Sequence, residues 1–527
     1  MKNWRFYGRD KELDDLVHSI IIRPTVSIAL YGRRRIGKTE LLNRAINCIR
    51  ALPTADSKPI VYLDVRPNPT RIGEELQVAI RDAGLSSLMD DFKRSPYWDQ
   101  DDSERFFFDQ AKHLVAKGGI LCLDEFHNID YDNGHLVYYI KRVIDVNQSP
   151  TLTPNPAGGG IVAAGSHQQK MIRLLANAQE QLYGRFMEIR MKQLTSPVLL
   201  EMAAEQGWLG DPRQFLSLYA AYGGVPGLWH QYFLYQLDRP EFQIGSKNPY
   251  ESWLERFWQY ESNRPVERLQ DRYDYKGMIE LNPTADRILQ LISNKPRGTP
   301  REEIFDLGIL PVDQSVLNNS EDKAWNTHLL RNLALLEDHV KMIKGIRHFK
   351  DARITTPTKY RISDNDTRHQ LLVKRIGLFS NIVQQTQKNE GDDLERIAAE
   401  YLGSLEKSVI GKYQVHANYG VQLKNGPELD VLIWRDVLAK DAEDTLIMGS
   451  CKRFSTQHIN KSRSPEQVFG PFLDKLYEEK RKPQPNNIRF VLVSPVFTPE
   501  QHEILQKRGF ETIDLFHMAK EQVLQHR

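Results

Sequence analysis

The sequence is poor in cysteine and lacks any long apolar run. Its three cysteines, Cys48, Cys122 and Cys451, are widely spaced among 527 residues, which argues against a disulfide framework and against a metal site of paired cysteines. No apolar run approaches the ~20 residues that a membrane-spanning helix needs. The opening segment, MKNWRFYGRDKEL, has no apolar core of a signal peptide. We therefore expect a cytoplasmic protein with no membrane partner.

An excess of charge of one sign is also missing. The chain carries 71 basic and 69 acidic residues, a formal net charge of +2, so composition alone predicts no nucleic-acid partner. Any surface for nucleic acid must then be local. At 527 residues the chain is too long for one hydrophobic core, which predicts several domains.

Residues 25–42, TVSIALYGRRRIGKTELL, carry the strongest motif of the sequence. An apolar, β-branched run ends at Gly32, and Gly37-Lys38-Thr39 follows after four intervening residues, which is the spacing of a P-loop between a strand and a helix. The loop N–H groups and the helix N-terminus would cradle phosphates. Lys38 would reach the β- and γ-phosphates, and the Thr39 hydroxyl would ligate magnesium. The motif predicts binding of ATP or GTP through Gly32, Arg33, Arg34, Arg35, Ile36, Gly37, Lys38, Thr39 and Glu40.

Residues 119–124 (GILCLD) predict a buried strand that ends in two carboxylates, Asp124 and Glu125. This is the pattern of a Walker B strand. Asp124 would hold magnesium, directly or through water, and Glu125 would orient and deprotonate the attacking water. An acidic strand end with no catalytic role is the alternative, but the position after a P-loop favours the catalytic interpretation.

Two further residues, Ser166 and Arg185, are candidates near the phosphates. Ser166 follows a predicted strand at 161–164, where a polar side chain can sense the γ-phosphate; a helix cap is the alternative. Arg185 lies in LYGR and would stabilise charge on the transferring phosphoryl group, in the same chain or in a neighbour; a plain salt bridge is an equal alternative. His127 is interpreted as a surface or supporting histidine.

Several short motifs follow one another in a specific order. FYGRDKEL, YGRRRIGKTELL, LCLDEFHNI, AAGSH, LYGR and YGGVPG resemble, in this order, the archaeal-type ATPase family of the STAND group over about residues 1–235. The resemblance implies an AAA-like core that binds ATP with Mg²⁺ and uses Lys38, Thr39, Asp124 and Glu125 in the roles given above. Residues 199–233 would form a helical lid. STAND ATPases often assemble when activated, which leaves self-association open for this chain.

The middle of the chain predicts a winged helix–turn–helix. Residues 284–293, 300–304 and 325–336 predict three helices, and residues 340–362 a hairpin; the segment also resembles the one that follows the lid in this family. Polar side chains that would meet phosphates are Asn326, His328, Arg331, Lys341, Lys344, Arg347 and Lys350. The basic residues are dispersed, so DNA binding and a protein-interaction or regulatory role both remain open.

The C-terminal segment predicts a second α/β domain. Its predicted elements are a helix at 391–405, strands at 413–417, 428–433, 446–452 and 488–494, and a helix at 499–507. The order of helix, strands, aspartate and x-x-lysine is that of the PD-(D/E)xK nuclease fold. The C-terminal part of this ATPase family also resembles that fold.

The nuclease chemistry needs two acidic groups for magnesium and a lysine that positions or activates water. Glu395, Asp430 and Lys452 match this pattern, but Ser450 stands where an acid is expected. A hydroxyl is a weak magnesium ligand compared with a carboxylate. This favours a degenerate binding domain over an active nuclease, and Lys452 on a solvated strand end remains a further alternative.

The sequence thus predicts an α/β protein of four domains. They are a P-loop, AAA-like ATPase core (1–195), a helical lid and linker (196–275), a winged helix–turn–helix (276–370) and a restriction-endonuclease-like PD-(D/E)xK domain (371–527). We expect an ATPase whose nucleotide state controls a C-terminal half that engages DNA or a partner. The alternatives are an ATP-licensed magnesium nuclease and a nucleotide-regulated scaffold without turnover.

Overall fold

The computed structural model covers two compact units, Met1–Gln193 and Leu194–Arg527. It describes residues 5–23, 25–53, 58–85, 87, 102–130, 134–149, 159–177, 179–206, 211–238, 250–263, 283–293, 299–300, 303–304, 333–334, 343–346, 359–362, 379–406, 413–423, 428–437, 445–452, 464–480 and 487–525. Within these ranges, none of the helices combines the length and the apolar character that crossing a bilayer requires.

The first unit is built on a five-stranded parallel sheet. Its strands are β1 (Val26–Tyr31), β2 (Ile60–Asp64), β3 (Ile120–Asp124), β4 (Gly160–Gly165) and β5 (Met187–Arg190). Its helices are α1 (Asp10–Ile22), α2 (Lys38–Arg50), α3 (Ile72–Asp82), α4 (Ser103–Ala116), α5 (His135–Gln148) and α6 (Gln168–Ala176). The strand order is β2-β3-β4-β1-β5, and all pairs are parallel. The carboxyl ends of β1, β3 and β4 therefore meet at one edge of the sheet.

Helices cover both faces of this sheet, which explains why its strands read as continuous apolar runs. In β3, Leu121 and Leu123 face a core shared with α3, α4 and α5. The alternate residues Ile120 and Cys122 face a second core shared with α1 and α2. All four side chains are buried. Packing on both faces therefore fixes the position of β3, and its last residue, Asp124, lies at the edge of the sheet.

The second unit begins with a group of helices rich in aromatic residues. They are α7 (Ser196–Glu205), α8 (Pro212–Tyr222), α9 (Pro226–Asp238) and α10 (Tyr250–Asn263). Trp229 and Trp253 are fully buried between them, and the indole N–H of Trp229 donates to the Gly223 carbonyl at 2.8 Å. These helices cover the segment predicted as the lid.

The predicted winged helix is described only in part. Helix α11 (Pro283–Ser293) and strands β6 (Thr299–Pro300), β7 (Ile343–Ile346) and β8 (Lys359–Ile362) are present, with β7 and β8 paired antiparallel. Lys344 lies on β7. Most of the predicted third helix at 325–336 lies outside the described residues, as do Asn326, His328, Arg331, Lys341, Arg347 and Lys350. The winged helix remains a prediction.

The C-terminal part contains a mixed five-stranded sheet in the order β13-β12-β11-β10-β9. Its elements are α12 (Phe379–Glu406), β9 (Tyr413–Gln422), β10 (Glu428–Val437), β11 (Thr445–Cys451), α13 (Pro465–Lys480), β12 (Asn487–Ser494), α14 (Pro499–Lys507), β13 (Glu511–Asp514) and α15 (Leu515–Gln525). β9, β10 and β11 are antiparallel neighbours, whereas β11, β12 and β13 are parallel.

Helix α12 is longer than the sequence predicted. The predicted start at Gly391 was wrong, because the helix begins at Phe379 and Gly391 lies inside it. A glycine inside a helix costs only about 1 kcal/mol, and burial of the following apolar residues, such as Leu394 and Ile397, outweighs that cost.

Helix α12 packs against the aromatic-rich helices as well as against the C-terminal sheet. It contacts α7 and α8 as well as β9 and β10. The Glu400 carboxylate accepts from the backbone N–H of Ser196 at 2.8 Å, where it stabilises the N-terminus of α7. Glu390 accepts from the Tyr250 hydroxyl of α10 at 3.0 Å. The predicted lid and the C-terminal sheet thus share one helix.

Candidate nucleotide site and nuclease-like site

The loop between β1 and α2 has the backbone that a phosphate cradle requires. A Cβ on Gly32 would lie 2.6 Å from the Met191 carbonyl oxygen, so only glycine fits this close approach. Gly37 is left-handed at φ 98°, and Arg35 is left-handed at φ 62°. Helix α2 begins at Lys38, so its N-terminal N–H groups open onto the loop.

The Lys38 side chain is folded into this loop. The residue is 5% exposed, and its ammonium donates to the carbonyls of Gly32 at 3.2 Å and Arg33 at 3.0 Å. Phosphate oxygens are better acceptors for an ammonium than neutral carbonyls. The lysine is therefore placed where a nucleotide would compete for it.

The remaining predicted loop residues have different surroundings. Ile36 is buried in the core below the loop, and its N–H donates to the Arg33 carbonyl at 3.3 Å. Arg34 is exposed. Glu40 accepts from Arg44 at 2.7 Å, an exposed pair one helical turn along α2. Backbone atoms of the loop and Lys38 thus form the cradle, and the Glu40 carboxylate is engaged by Arg44.

Asp124 links the acidic strand to the loop. The Thr39 hydroxyl donates to Asp124 Oδ2 at 2.7 Å, and the Glu125 N–H donates to Oδ1 at 2.9 Å. A hydroxyl and a carboxylate are the hard oxygen donors that Mg²⁺ uses beside phosphate oxygens. This pair therefore fits a magnesium ion brought by a nucleotide.

Two residues of β2 that sequence reasoning missed complete this edge. The Tyr62 hydroxyl donates to Asp124 Oδ2 at 2.9 Å; burial and then the charge of Asp124 raise the pKa of Tyr62 well above its ordinary value, so the phenol stays a donor. Asp64 pairs in register with Asp124, and burial followed by the charges of Asp124 and Glu125 raises the pKa of Asp64. A divalent cation would relieve this crowding of negative charge.

Glu125 is held from the next strand. Its backbone is left-handed at φ 49°, which turns the chain at the end of β3, and the Ser166 hydroxyl after β4 donates to Glu125 Oε2 at 2.6 Å. Because β4 is the neighbour of β3, these two strand ends lie side by side. The predicted base and the predicted sensor residue are in direct contact.

His127 also lies against the Glu125 carboxylate. Its Nδ1 is 3.3 Å from Glu125 Oε2, and its ring is 5.6 Å from that of His167. Burial, followed by the charges of His167 and Lys170, lowers the pKa of His127 to about 4. A neutral imidazole therefore stands beside Glu125 at neutral pH.

Arg185 is engaged in an ion pair. Its Nε donates to Asp145 Oδ1 on α5 at 2.8 Å, and Lys141 lies 3.1 Å from the other oxygen of that carboxylate. This is the salt bridge that the sequence left open as an alternative. A catalytic role for Arg185 remains a prediction.

The nuclease-like residues do not form a comparable acidic site. Ser450 donates its hydroxyl to Asp430 Oδ2 at 3.0 Å, and the Cys451 N–H donates to the same oxygen at 2.8 Å. Lys452 is exposed just after β11, and Glu395 is buried in α12.

In the described part of the chain, no group of three or more His, Cys, Asp or Glu side chains is arranged to hold a metal ion. The contact between Ser450 and Asp430 supplies one carboxylate, whereas the magnesium centre of a PD-(D/E)xK nuclease relies on two acidic groups.

Comparison with known proteins gives distant relatives. No protein-family model matches the sequence. The chain is 24% identical over 236 residues to an uncharacterised protein of Methanocaldococcus jannaschii, a match that covers 45% of this chain and 44% of the relative. The chain thus spans less than half the length of this curated relative.

The solved structures that match the chain include proteins of Pyrococcus abyssi and Aeropyrum pernix. A Walker-type ATPase of Pyrococcus abyssi is 16% identical, with a TM-score of 0.42, 69% of this chain covered and 96% of that one. The ORC2 protein of Aeropyrum pernix, in complexes with ADPNP and ADP, is 14% identical, with a TM-score of 0.43 and coverages of 74% and 98%. The ORC1 protein of the same organism, in complex with DNA, is 14% identical, with a TM-score of 0.32 and coverages of 71% and 94%.

Proposed function

We propose that this chain binds ATP with magnesium and hydrolyses it, and that its nucleotide state controls a C-terminal half that engages DNA or a partner. The observation that carries the proposal is the pair of contacts from Thr39 to Asp124 and from Ser166 to Glu125 beside the P-loop. Both join strand ends to residues that would surround a γ-phosphate. The position of β4 between β1 and β3 supports the AAA-like core that the motifs predict.

The residues at this edge divide the work of phosphoryl transfer. Lys38 would leave its loop carbonyls for the β- and γ-phosphates. Thr39 and Asp124 would hold magnesium, which supplies charge neutralisation on the phosphates when it is bound. Glu125 would accept the proton of the attacking water, and Ser166 would orient its carboxylate.

The predicted lid and the C-terminal sheet would move together. Ser196 of α7 is held by Glu400 of α12, and Tyr250 of α10 by Glu390 of the same helix. Buried contacts of this kind resist separation because each broken one leaves a desolvated polar group. A displacement of the lid helices would therefore carry α12 and its sheet with it.

The C-terminal half would act by binding and not by cutting. The hydrogen bonds of Asp430 to Ser450 and Cys451 support a nuclease-like domain that has lost its metal site. Its surface and the predicted winged helix would bind DNA or a partner protein, and Arg185 would contact a neighbouring chain if activation leads to self-association.

The proposed hydrolysis is tested with Glu125→Gln. Nucleotide binding by calorimetry and phosphate release are measured for wild type and variant with Mg-ATP. We expect binding to be retained and turnover to fall by about 100-fold or more, the usual contribution of a general base. Equal turnover in the two proteins would contradict the assignment of Glu125.

A nucleotide-regulated scaffold is the second candidate. One observation favours it: Glu125 Oε2 already accepts from the Ser166 hydroxyl and lies 3.3 Å from His127 Nδ1, so a water molecule would have to use the other carboxylate oxygen. In a scaffold, wild type binds ATP but releases phosphate no faster than Glu125→Gln. A change of domain arrangement on binding, measured by small-angle scattering in both proteins, would then be the function.

DNA binding and cutting are tested separately. Gel shifts at rising salt, with charge reversals at Lys341 and Lys344 of the predicted wing, should show weaker binding if phosphates are contacted. Affinity unaffected by salt and by the reversals would favour a protein partner.

Incubation of linear and supercoiled DNA with Mg²⁺ or Mn²⁺ and ATP should give no cutting. Cutting that is lost in Asp430→Ala and in Lys452→Ala would restore the nuclease alternative.

A further inference from the structure

We propose that Tyr62 is a positioning residue for the magnesium-holding carboxylate, and that its hydroxyl fixes which oxygen of Asp124 faces the metal. The inference rests on the proposed function, because it concerns how the same site takes Mg²⁺ with a nucleotide. The Walker motifs do not include Tyr62, which lies on β2, the strand next to β3.

The hydrogen bonds of Asp124 divide its two oxygens into different roles. Oδ2 accepts two hydroxyl hydrogens, from Thr39 at 2.7 Å and from Tyr62 at 2.9 Å. Oδ1 accepts the N–H of Glu125 at 2.9 Å. A carboxylate oxygen has two lone-pair directions, so Oδ2 is filled and Oδ1 keeps one direction for a cation or for a water that a cation holds.

The two donors to Oδ2 differ in how firmly they are held. Thr39 belongs to the first turn of α2 next to the P-loop, and its oxygen would itself ligate the ion. Tyr62 is half-buried, lies in the sheet and packs on the core between the sheet and α2. It therefore stays in place when the loop rearranges, and it keeps the carboxylate from rotating.

A positioning role of the Tyr62 hydroxyl and a packing role of its ring predict different magnesium dependences for Tyr62→Phe. Tyr62→Phe keeps the ring and removes only the hydroxyl, so packing is preserved. Removing a hydrogen-bond partner of a metal ligand costs about 10- to 100-fold in metal affinity. A ring that only packs would leave the magnesium dependence unchanged.

The experiment measures binding of a fluorescent ATP analogue as Mg²⁺ is titrated, and in EDTA. For Tyr62→Phe we expect unchanged affinity in EDTA and a rise of about tenfold in the Mg²⁺ concentration at half-effect. Tyr31→Phe is the matched control: Tyr31 lies on β1 of the same sheet, and its hydroxyl donates to another carboxylate, Glu188, at 2.6 Å. Its magnesium titration should match that of wild type.

A double-mutant cycle separates positioning from a general loss of structure. In an Asp124→Asn background, adding Tyr62→Phe should change the magnesium titration by less than about twofold, because the hydroxyl acts through Asp124. Equal effects of Tyr62→Phe with and without Asp124, or an unchanged titration in the single variant, would overturn the inference. Wild type that binds the analogue with no response to Mg²⁺ would overturn the proposed magnesium site as well.

Discussion

Asp124 in the first unit and Asp430 in the second accept the same number of hydrogen bonds on Oδ2, but from different kinds of donor. Each carboxylate accepts two hydrogen bonds on Oδ2. The donors to Asp124 are hydroxyls from two other elements, Thr39 of α2 and Tyr62 of β2. The donors to Asp430 come from adjacent residues of one paired strand, Ser450 and Cys451 of β11. Asp124 is thus connected to the P-loop helix, whereas these two hydrogen bonds connect Asp430 to the neighbouring strand of its own sheet.

The two carboxylates also differ in the negative charge that surrounds them. Asp64 and Glu125 stand close enough to Asp124 that the pKa of Asp64 is raised, with burial as the larger cause. Beside Asp430, the position at which the nuclease motif has a second acid is occupied by Ser450. Mg²⁺ binds where negative oxygens converge. The comparison therefore teaches that a strand carboxylate is suited to hold a metal ion where other acids lie beside it, as at Asp124, and to act as a structural acceptor where hydroxyl and N–H donors surround it, as at Asp430.

The largest expected effect is on ATP affinity and turnover, and it distinguishes the lysine of the nucleotide site from the lysine of the nuclease-like site. Lys38→Ala should lower ATP affinity and turnover by at least about 100-fold, because a buried donor to the phosphates is lost. Lys452→Ala, its counterpart in the nuclease-like site, should leave both unchanged. Calorimetry with Mg-ATP and phosphate release measure the two variants, and normal turnover in Lys38→Ala would remove the ATPase assignment.

The next effect is on stability and concerns Asp430. Asp430→Ala leaves the N–H of Cys451 and the hydroxyl of Ser450 without their acceptor, which should lower the free energy of unfolding by about 1–3 kcal/mol. ATP turnover should not change. Ser450→Ala removes one donor only and serves as the milder control. Thermal unfolding and ATPase assays decide, and a stability equal to wild type would contradict a structural role of Asp430.

A smaller effect is expected from supplying the missing acid. Ser450→Asp places a second carboxylate beside Asp430, and the repulsion should lower the melting temperature in EDTA by a few degrees, about 1 kcal/mol. Millimolar Mn²⁺ should restore it, while wild type shows no response. A variant that Mn²⁺ does not stabilise would show that charge alone is not what the site lacks.

The smallest effect concerns Arg185. Burial alone would raise the pKa of Asp145, but hydrogen bonds from Arg185 and Lys141 outweigh it and hold the pKa below its ordinary value. This stability is present above the unfolded pKa of Asp145 and is lost as pH falls through the folded pKa.

The difference in the free energy of unfolding between wild type and Arg185→Ala should therefore be small at pH 7, less than about 1 kcal/mol for a pair near the surface, and should shrink as the pH falls through the folded pKa of Asp145. A large loss of turnover in Arg185→Ala, at unchanged stability, would instead assign the arginine to phosphoryl transfer.

Residues close together in the chain were the predictable part of the site. The P-loop and the Asp124-Glu125 pair could be predicted because strand, loop and carboxylates are contiguous, and Ser166 could be predicted as a neighbour of the site because it follows a strand. Tyr62 and Asp64 were missed because their importance depends on β2 lying next to β3, which a single sequence does not reveal. Glu400 was missed for the same reason, since its partner Ser196 is distant in the chain.

What the sequence by itself determined is local: where the buried strands run, which loop has the glycine spacing of a phosphate-binding turn, and that Ser450 stands where the predicted nuclease motif expects an acid. These follow from short-range patterns of apolar, glycine and charged residues. Only the tertiary structure decided the order of the strands, the pairing of Arg185 with Asp145, and the different partners of Asp124 and Asp430. The reason is physical: a carboxylate acquires its role from the donors and charges that surround it, and folding brings those together from distant parts of the chain.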